Sequence, residues 1–299
     1  IAGQYPTGST IKALTTFAGL KYGICDGNSS WYCTGFWTGF GEQYGMHCWL
    51  LSGHGTVNLI TGITNSCDIV FYEIGKGFFY NNDHPEGMQE TFRAFGLGAL
   101  SGIDLPEEAS GRVPDAEWKW NYFTSSPDDA RKWQGGDNCN LAIGQGDLLV
   151  TCLQMANAYC GIANRGPIYK PHVLKSINAR NGNGSVIEYK NEVILSPEEK
   201  DEHRDIVARG LYGVVYEESA SQTIHWTNLD VTVNGKTGTA EQQSIGEPVG
   251  WFVGYAPADK PQYVVAANLD CAPSGAGSGM YIVRDVFGAI YNQPDNVGR

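Results

Sequence analysis

Ser9 and Lys12 stand where the turn residues Pro6 and Gly8 give way to apolar residues at helical spacing: Ile11, Leu14, Phe17 and Ala18. Residues i and i+3 share a helix face, so the hydroxyl and the amine would sit one turn apart. That pair could do nucleophilic acyl chemistry. A serine hydroxyl needs a base within hydrogen-bond reach. A lysine serves as that base when burial or cationic neighbours lower its pKa. The positive end of the helix favours a developing oxyanion beside it. Taken alone the pair also reads as a capping serine next to a solvated lysine.

Three further groups share the chain with it. In Asn65-Ser66-Cys67-Asp68, just before the apolar run Ile69, Val70, Phe71, Tyr72 and Ile74, Ser66 and Asp68 flank Cys67. Both polar groups could project into a cleft, and both are also ordinary helix caps. Gly235-Lys236-Thr237-Gly238-Thr239-Ala240 lies in a strand-like segment, where a lone lysine is usually solvated. Cys33, Cys48, His54 and Cys67, with 14, 5 and 12 residues between them, fit a tetrahedral zinc set. They fit equally a Cys33–Cys48 disulfide with a hydrogen-bonded His54, and Cys25 is a competing partner for Cys33. Cys152 and Cys160 fall in a helical pattern and read as buried thiols.

These groups need a frame. The pattern predicts a helix over 9–22 ended by Gly23, and an irregular segment from Cys25 to Gly55 with no period. A helix follows Asp68, and an amphipathic stretch runs from Met88 to Phe95. Residues 99–114 look like an extended connection, and Trp118–Asn140 like irregular polar and aromatic chain. Thr151 with Gln154 makes a capping box for a helix over 151–164, stopped by Gly166-Pro167. Short strands surround the turn Asn181–Gly184. Ser196-Pro197 opens a helix that runs to about Tyr216. Strand-like segments at 229–242, 249–256 and 262–270, joined by short turns, predict an antiparallel meander. Ser274–Gly279 then leads into a last helix, Met280–Tyr291. Segregated helices and strands give an α+β fold, with a helical lobe over about 9–165 and a sheet-forming part over about 166–299.

The chain has 299 residues, 42% hydrophobic and 17% charged, enough for a sizeable core. A net charge of −12 argues against nucleic acid or an anionic membrane surface as partner. No run of about 18 apolar residues is present, and no secretory leader is visible. With the first candidate nucleophile nine residues in, the chain reads as a fragment of something longer.

Ser9-x-x-Lys12, then Ser66-x-Asp68, then Lys236-Thr237-Gly238 on a strand are the three elements of the penicillin-recognising serine enzymes, in their order. The blocks YPTGSTIK, HGTV, NSCDIVFYEIG, GIDLPEEASG, AIGQGDLLVTCLQMANAY, NRG, GKTGTAE and WFVGYAP resemble a class B penicillin-binding protein of the elongation type. The resemblance covers essentially the whole chain. It implies the penicillin-binding/β-lactamase-like transpeptidase fold, with Ser9 attacking the D-Ala-D-Ala carbonyl of a peptidoglycan stem peptide and Lys12 taking its proton. Ser66 would relay protons, held by Lys12, Lys236 and Asp68. The N–H groups of Ser9 and Thr239 would form the oxyanion hole. Thr237 and Thr239, across Gly238 and beside Lys236, would bind the substrate carboxylate. An amine from a second stem peptide would resolve the acyl-enzyme, and β-lactams would acylate Ser9.

The resemblance also favours zinc over the disulfide at Cys33, Cys48, His54 and Cys67, and implies no organic cofactor. It implies a membrane glycosyltransferase and elongation complex as partners, and a place on the outer face of the plasma membrane, anchored by an N-terminal segment. Two features depart from the family: Ser-x-Asp where most relatives have Ser-x-Asn, and the absence before Ser9 of an anchor, a pedestal and the first strands of the sheet. The rival readings are a D,D-carboxypeptidase or β-lactamase-like hydrolase, against which the GIDLP and IGQG blocks argue, and a non-catalytic β-lactam sensor or scaffold.

Overall fold

A computed structural model of the protein describes residues 1–180, 184–217, 226–241, 248–272 and 276–291. Ser9 lies on a 3-10 turn, Gly8–Ile11, which passes into helix α1 (Lys12–Lys21). The expected single helix thus begins as a tighter turn, with the Lys12 N–H bonded to the Ser9 carbonyl. Every residue of α1 up to Leu20 is buried, as in a helix that runs through a core.

The segment expected to be irregular contains two short antiparallel pairs. Strand β1 (Ser30–Cys33) pairs with β4 (Gly55–Asn58), and β2 (Phe36–Trp37) pairs with β3 (Met46–His47). Strands of two to four residues carry too little alternation to be seen as a period. Helix α2 (Leu59–Thr64) is capped by Asn58 and Thr61. Ser66 follows with φ 52°, left-handed backbone that a non-glycine residue rarely adopts, and α3 (Asp68–Phe79) starts two residues on. Helix α4 (Gly87–Ala94) ends before Gly96 as expected.

The stretch Trp118–Asn140, expected to be irregular, falls mostly within three helices: α5 (Ala116–Tyr122), α6 (Asp128–Arg131) and α7 (Gly135–Ala142). Helix α5 buries no residue. It is held by the Asp115 cap on the Trp118 N–H, by Arg112 over the Trp118 ring at 4.5 Å, and by Lys119 on Asp137 at 2.6 Å. The helix over 151–164 is α8 (Cys152–Ala163), and its Thr151–Gln154 capping box is present.

Strand β5 (Ile168–Tyr169) pairs with β8 (Val193–Leu195), and β6 (Ser176–Asn178) with β7 (Ser185–Glu188). The turn residues 181–183 lie outside the described residues. Helix α9 (Asp201–Tyr216) begins five residues after Ser196 rather than at it. The Glu199 carboxylate accepts from His203 Nδ1 at 3.2 Å ahead of that first turn, and Lys200 is still extended.

The meander is β9 (Asn234–Ala240), β10 (Val249–Ala256) and β11 (Tyr263–Leu269), in the order β11-β10-β9. Gln242 and the turn at 246–247 lie outside the described residues. Every residue of β10 is buried, with helices on both faces. Trp251, Val253 and Tyr255 join the larger core with α1, α3 and α8. Phe252 and Ala256 face a smaller core with Trp226, Met280, Val283 and Phe287. That alternation is the strand period of two. The last helix, α10 (Ala276–Ile290), starts four residues before Met280.

Candidate active site

The turn that carries Ser9 meets β9 because two glycines allow it. A Cβ on Gly8, at φ 51°, would lie 2.5 Å from the Thr239 carbonyl oxygen, and one on Gly238 would lie 2.7 Å from the Thr7 carbonyl oxygen. Trp251 Nε1 donates to the Pro6 carbonyl at 2.9 Å from the next strand, and the Gly8 N–H reaches the Gly144 carbonyl at 2.9 Å. The turn is thereby pinned between the sheet and the loop before α8.

Among the described residues, strand β9 is an edge of its sheet. At Thr239 the carbonyl and the amide nitrogen both lie against Gly8, and Gln145 Nε2 donates to that carbonyl at 3.5 Å. In a strand the N–H and C=O of one residue point to the same side, so the Thr239 N–H also faces the turn that carries Ser9. Thr237, Gly238 and Thr239 line a cleft of about 960 Å³ together with Ser9, Ser66 and Asp68.

The cationic centre lies below that surface. Lys12 and Lys236 are both fully buried. Lys12 Nζ donates to the Ser66 carbonyl at 2.8 Å, to Ser66 Oγ at 3.2 Å and to Asp68 Oδ1 at 2.7 Å, and stands 5.1 Å from the centre of the Phe71 ring. Lys236 Nζ reaches Ser66 Oγ at 3.0 Å and Thr237 Oγ1 at 3.3 Å. Ser66 Oγ therefore accepts from both lysines. With both lone pairs engaged, its own O–H remains free to donate into the cleft. The left-handed backbone at Ser66 turns its carbonyl and hydroxyl toward the same amine.

Asp68 uses both oxygens, Oδ1 for Lys12 and Oδ2 for the Trp49 backbone N–H at 2.9 Å. Trp49 Nε1 in turn donates to the Asn65 carbonyl at 2.9 Å. Neither Trp49 nor Gln145 was singled out from the sequence. Trp49 offered only an unpatterned aromatic in an aperiodic stretch, and Gln145 lay inside a block that counted only toward the family resemblance.

Cys33, Cys48, His54 and Cys67 come together behind Trp49, their ligand atoms all within 4.8 Å of one another. His54 Nδ1 is 3.5 Å from Cys33 Sγ and 3.6 Å from Cys48 Sγ. A tetrahedral ion with ordinary metal–sulfur and metal–nitrogen bonds would set those edges at about 3.6 Å, so the donor set fits a metal ion. All eight cysteines are free thiols, so the alternative Cys33–Cys48 bond is not formed. Cys25 sits apart, over Gly19. The Cys48 and Cys67 thiols share a hydrogen bond, which lowers Cys48 and raises Cys67.

The cleft thus brings together the Ser9 turn, a hydroxyl held by two buried lysines, and the edge of β9. The family model for the penicillin binding protein transpeptidase domain matches residues 1–291, and the chain belongs to that family. It is 31% identical over 311 aligned positions to the peptidoglycan D,D-transpeptidase MrdA of Acinetobacter baumannii, covering 96% of this chain and 42% of that protein. The crystal structure of Pseudomonas aeruginosa PBP2 in complex with WCK 5153 is similar at 27% identity and a TM-score of 0.81, over 96% of this chain and 59% of that one. A structure describing polymerization and crosslinking by a peptidoglycan synthase complex is similar at 26% identity and a TM-score of 0.80, over 100% of this chain and 48% of that one. The chain spans less than half the length of the curated relatives it matches. The expected α+β transpeptidase fold is the one these neighbours share.

Proposed function

We propose that the protein is a serine-type peptidoglycan D,D-transpeptidase. The carrying observation is Ser66 Oγ, which receives Lys12 at 3.2 Å and Lys236 at 3.0 Å beside the cleft that holds Ser9. Ser9 Oγ attacks the carbonyl between the two terminal D-alanines of a stem peptide, while the Ser9 and Thr239 N–H groups take the oxyanion. Lys12 donates three hydrogen bonds at rest. It has no lone pair for the serine proton until one of its own leaves, and Ser66 is the neighbour through which that proton can pass. The free O–H of Ser66 then protonates the departing D-alanine nitrogen. In the second half, the amine of another stem peptide attacks the ester. A C–N bond forms, the C–Oγ bond breaks, and a proton returns to Ser9. Thr237 and Thr239 bind the substrate carboxylate, with Lys236 beside them.

The same reading assigns zinc to Cys33, Cys48, His54 and Cys67. Bound zinc would close the 33–67 segment on itself. The chain's own residues carry the effect onward: Trp49, next to Cys48, holds Asp68, next to Cys67. Metal content by native mass, with a fall in melting temperature on chelation, tests it. Metal-free protein of unchanged stability would remove zinc from the account.

The organisation we assign is one transpeptidase domain, its site between a helical lobe and a sheet-forming part. The protein would work at the outer face of the plasma membrane, tethered there, with a glycosyltransferase in an elongation complex. The structural likeness to a peptidoglycan synthase complex supports that partner. The first test is intact mass before and after a penicillin. One adduct on wild type and none on Ser9→Ala is expected, and cross-linking of stem peptides separates transpeptidation from plain hydrolysis. Equal labelling of Ser9→Ala would refute the assignment of the nucleophile.

A further inference from the structure

A second cavity, of about 870 Å³, adjoins the first and shares Tyr72, Ile143, Gln145 and Glu241 with it. The shared wall includes Gln145, the side chain that reaches the Thr239 carbonyl. The second cavity is therefore one side chain away from the strand edge over Ser9. Its remaining lining brings Gln4, Asn140 and Asp147, and no Lys or Arg side chain lines it among the described residues. Burial raises the Asp147 carboxyl, whose partner cation, Arg112, stands off at 3.9 Å and gives its Nε instead to the Asp147 carbonyl. Glu241 is exposed at the shared rim. The cavity thus offers carboxylates and amide oxygens to a visitor from the catalytic cleft, and it repels anions.

We propose that this cavity is an ammonium subsite for the stem peptide, with Asp147 and Glu241 as its charged groups. The inference rests on the transpeptidase reading. That reaction requires each stem peptide to carry a primary amine, because the amine is what attacks the acyl-enzyme. Donor and acceptor are copies of one peptide, so either could bring the group: the donor through its side-chain amine, the acceptor through an amine that waits there as ammonium before it loses a proton and moves to the ester. At neutral pH both are ammonium ions. A cation near two carboxylates in a partly enclosed site gains a charge pair and is steered to Ser9.

The test uses Glu241→Gln and the double variant Asp147→Asn/Glu241→Gln, read as ratios within each protein. The donor probe is a D-Ala-D-Ala pentapeptide with a lysine side-chain amine, compared with the same peptide N-acetylated on that amine. The acceptor probe is a lysine-containing tetrapeptide, scored as aminolysis over hydrolysis of a thioester donor. Occupation by the donor lowers the free-amine over acetylated kcat/KM ratio, by about fivefold in the double variant. Occupation by the acceptor leaves that ratio alone and lowers the aminolysis-to-hydrolysis ratio by a similar factor. Either result supports the subsite. Both ratios unchanged in both variants overturn it, whatever their absolute rates. Wild type that penicillin fails to acylate would instead overturn the transpeptidase reading beneath it.

Discussion

Replacing Asp68 by asparagine removes one charge and changes one atom, yet the structure gives it a large cost. Both Asp68 oxygens accept: Oδ1 from the buried Lys12 ammonium at 2.7 Å, Oδ2 from the Trp49 N–H at 2.9 Å. An asparagine has one oxygen and one NH2, so it must present a donor to one of two donors. If the oxygen stays on Lys12, the Trp49 N–H faces a donor, at a cost of about 1–3 kcal/mol for an unsatisfied group. If it turns to Trp49, the fully buried lysine loses its charged partner, and breaking such a pair costs about 3–5 kcal/mol. The side chain takes the cheaper orientation and also forfeits charge assistance on the Lys12 contact. Together that gives about 2–3 kcal/mol, or roughly 4–10 °C in melting temperature for a domain of this size. The assay pairs thermal unfolding with the rate of penicillin acylation, in Asp68→Asn and Asp68→Ala. Asp68→Ala should be worse, since Lys12 then keeps only Ser66. An Asp68→Asn protein that melts and acylates like wild type would refute this account, and would mean that the Trp49 contact carries no weight.

Gly8→Ala places a Cβ 2.5 Å from the Thr239 carbonyl at a positive φ, so penicillin acylation should fall by at least about a hundredfold, as misplacing reacting atoms does. Its melting temperature should fall less than that of a core cavity variant. Asp104 accepts from the Val173 and Leu174 N–H groups, and these bonds hold its carboxyl below the usual range. A lowered carboxyl stabilises above its ordinary pKa and loses that contribution as pH falls through the lowered one. Hydrogen-exchange protection at Val173 and Leu174, measured against the intrinsic rate at each pH, should therefore fall on acidification, and be lower at neutral pH in Asp104→Ala. Glu199 has the opposite sign. Burial raises it, outweighing the His203 hydrogen bond, so its contribution is complete at low pH and is lost as pH rises through the raised value. Glu199→Gln should gain stability relative to wild type between about pH 4 and pH 8, by thermal unfolding; a constant difference would refute the shift.

The site was legible where chemistry restricts the residue. Serine, lysine and the Lys-Thr-Gly strand have few substitutes, and their order along the chain survives any reading of the loops. The 151–164 helix and the meander were legible because a cap and a period of two are local signals. Other parts were hidden for physical reasons. Helix α5 buries nothing and is held by a cap, an ion pair and a guanidinium over a ring, so it has no apolar face to count. Strands β1 to β4 are shorter than a period. Trp49 acts through its backbone N–H, which every residue but proline possesses. The Gly8 and Gly238 contacts depend on approach between segments more than 200 residues apart, and no local pattern records that.

Ser66 Oγ has one further consequence. Lys12 and Ser66 ride on helices α1 and α3 and the loop between α2 and α3, whereas Lys236 rides on the sheet. The 3.0 Å contact from Lys236 to Ser66 thus joins two elements that pack into one core. A hydrogen bond is lost beyond about 3.5 Å, so a relative slip of about half an ångström would part the two lysines' shared hydroxyl and leave every other contact of Lys12 intact. The packing at Gly8 and Gly238 that seats Ser9 against β9 is thereby also what keeps that hydroxyl shared, so one close approach sets two distances in the site.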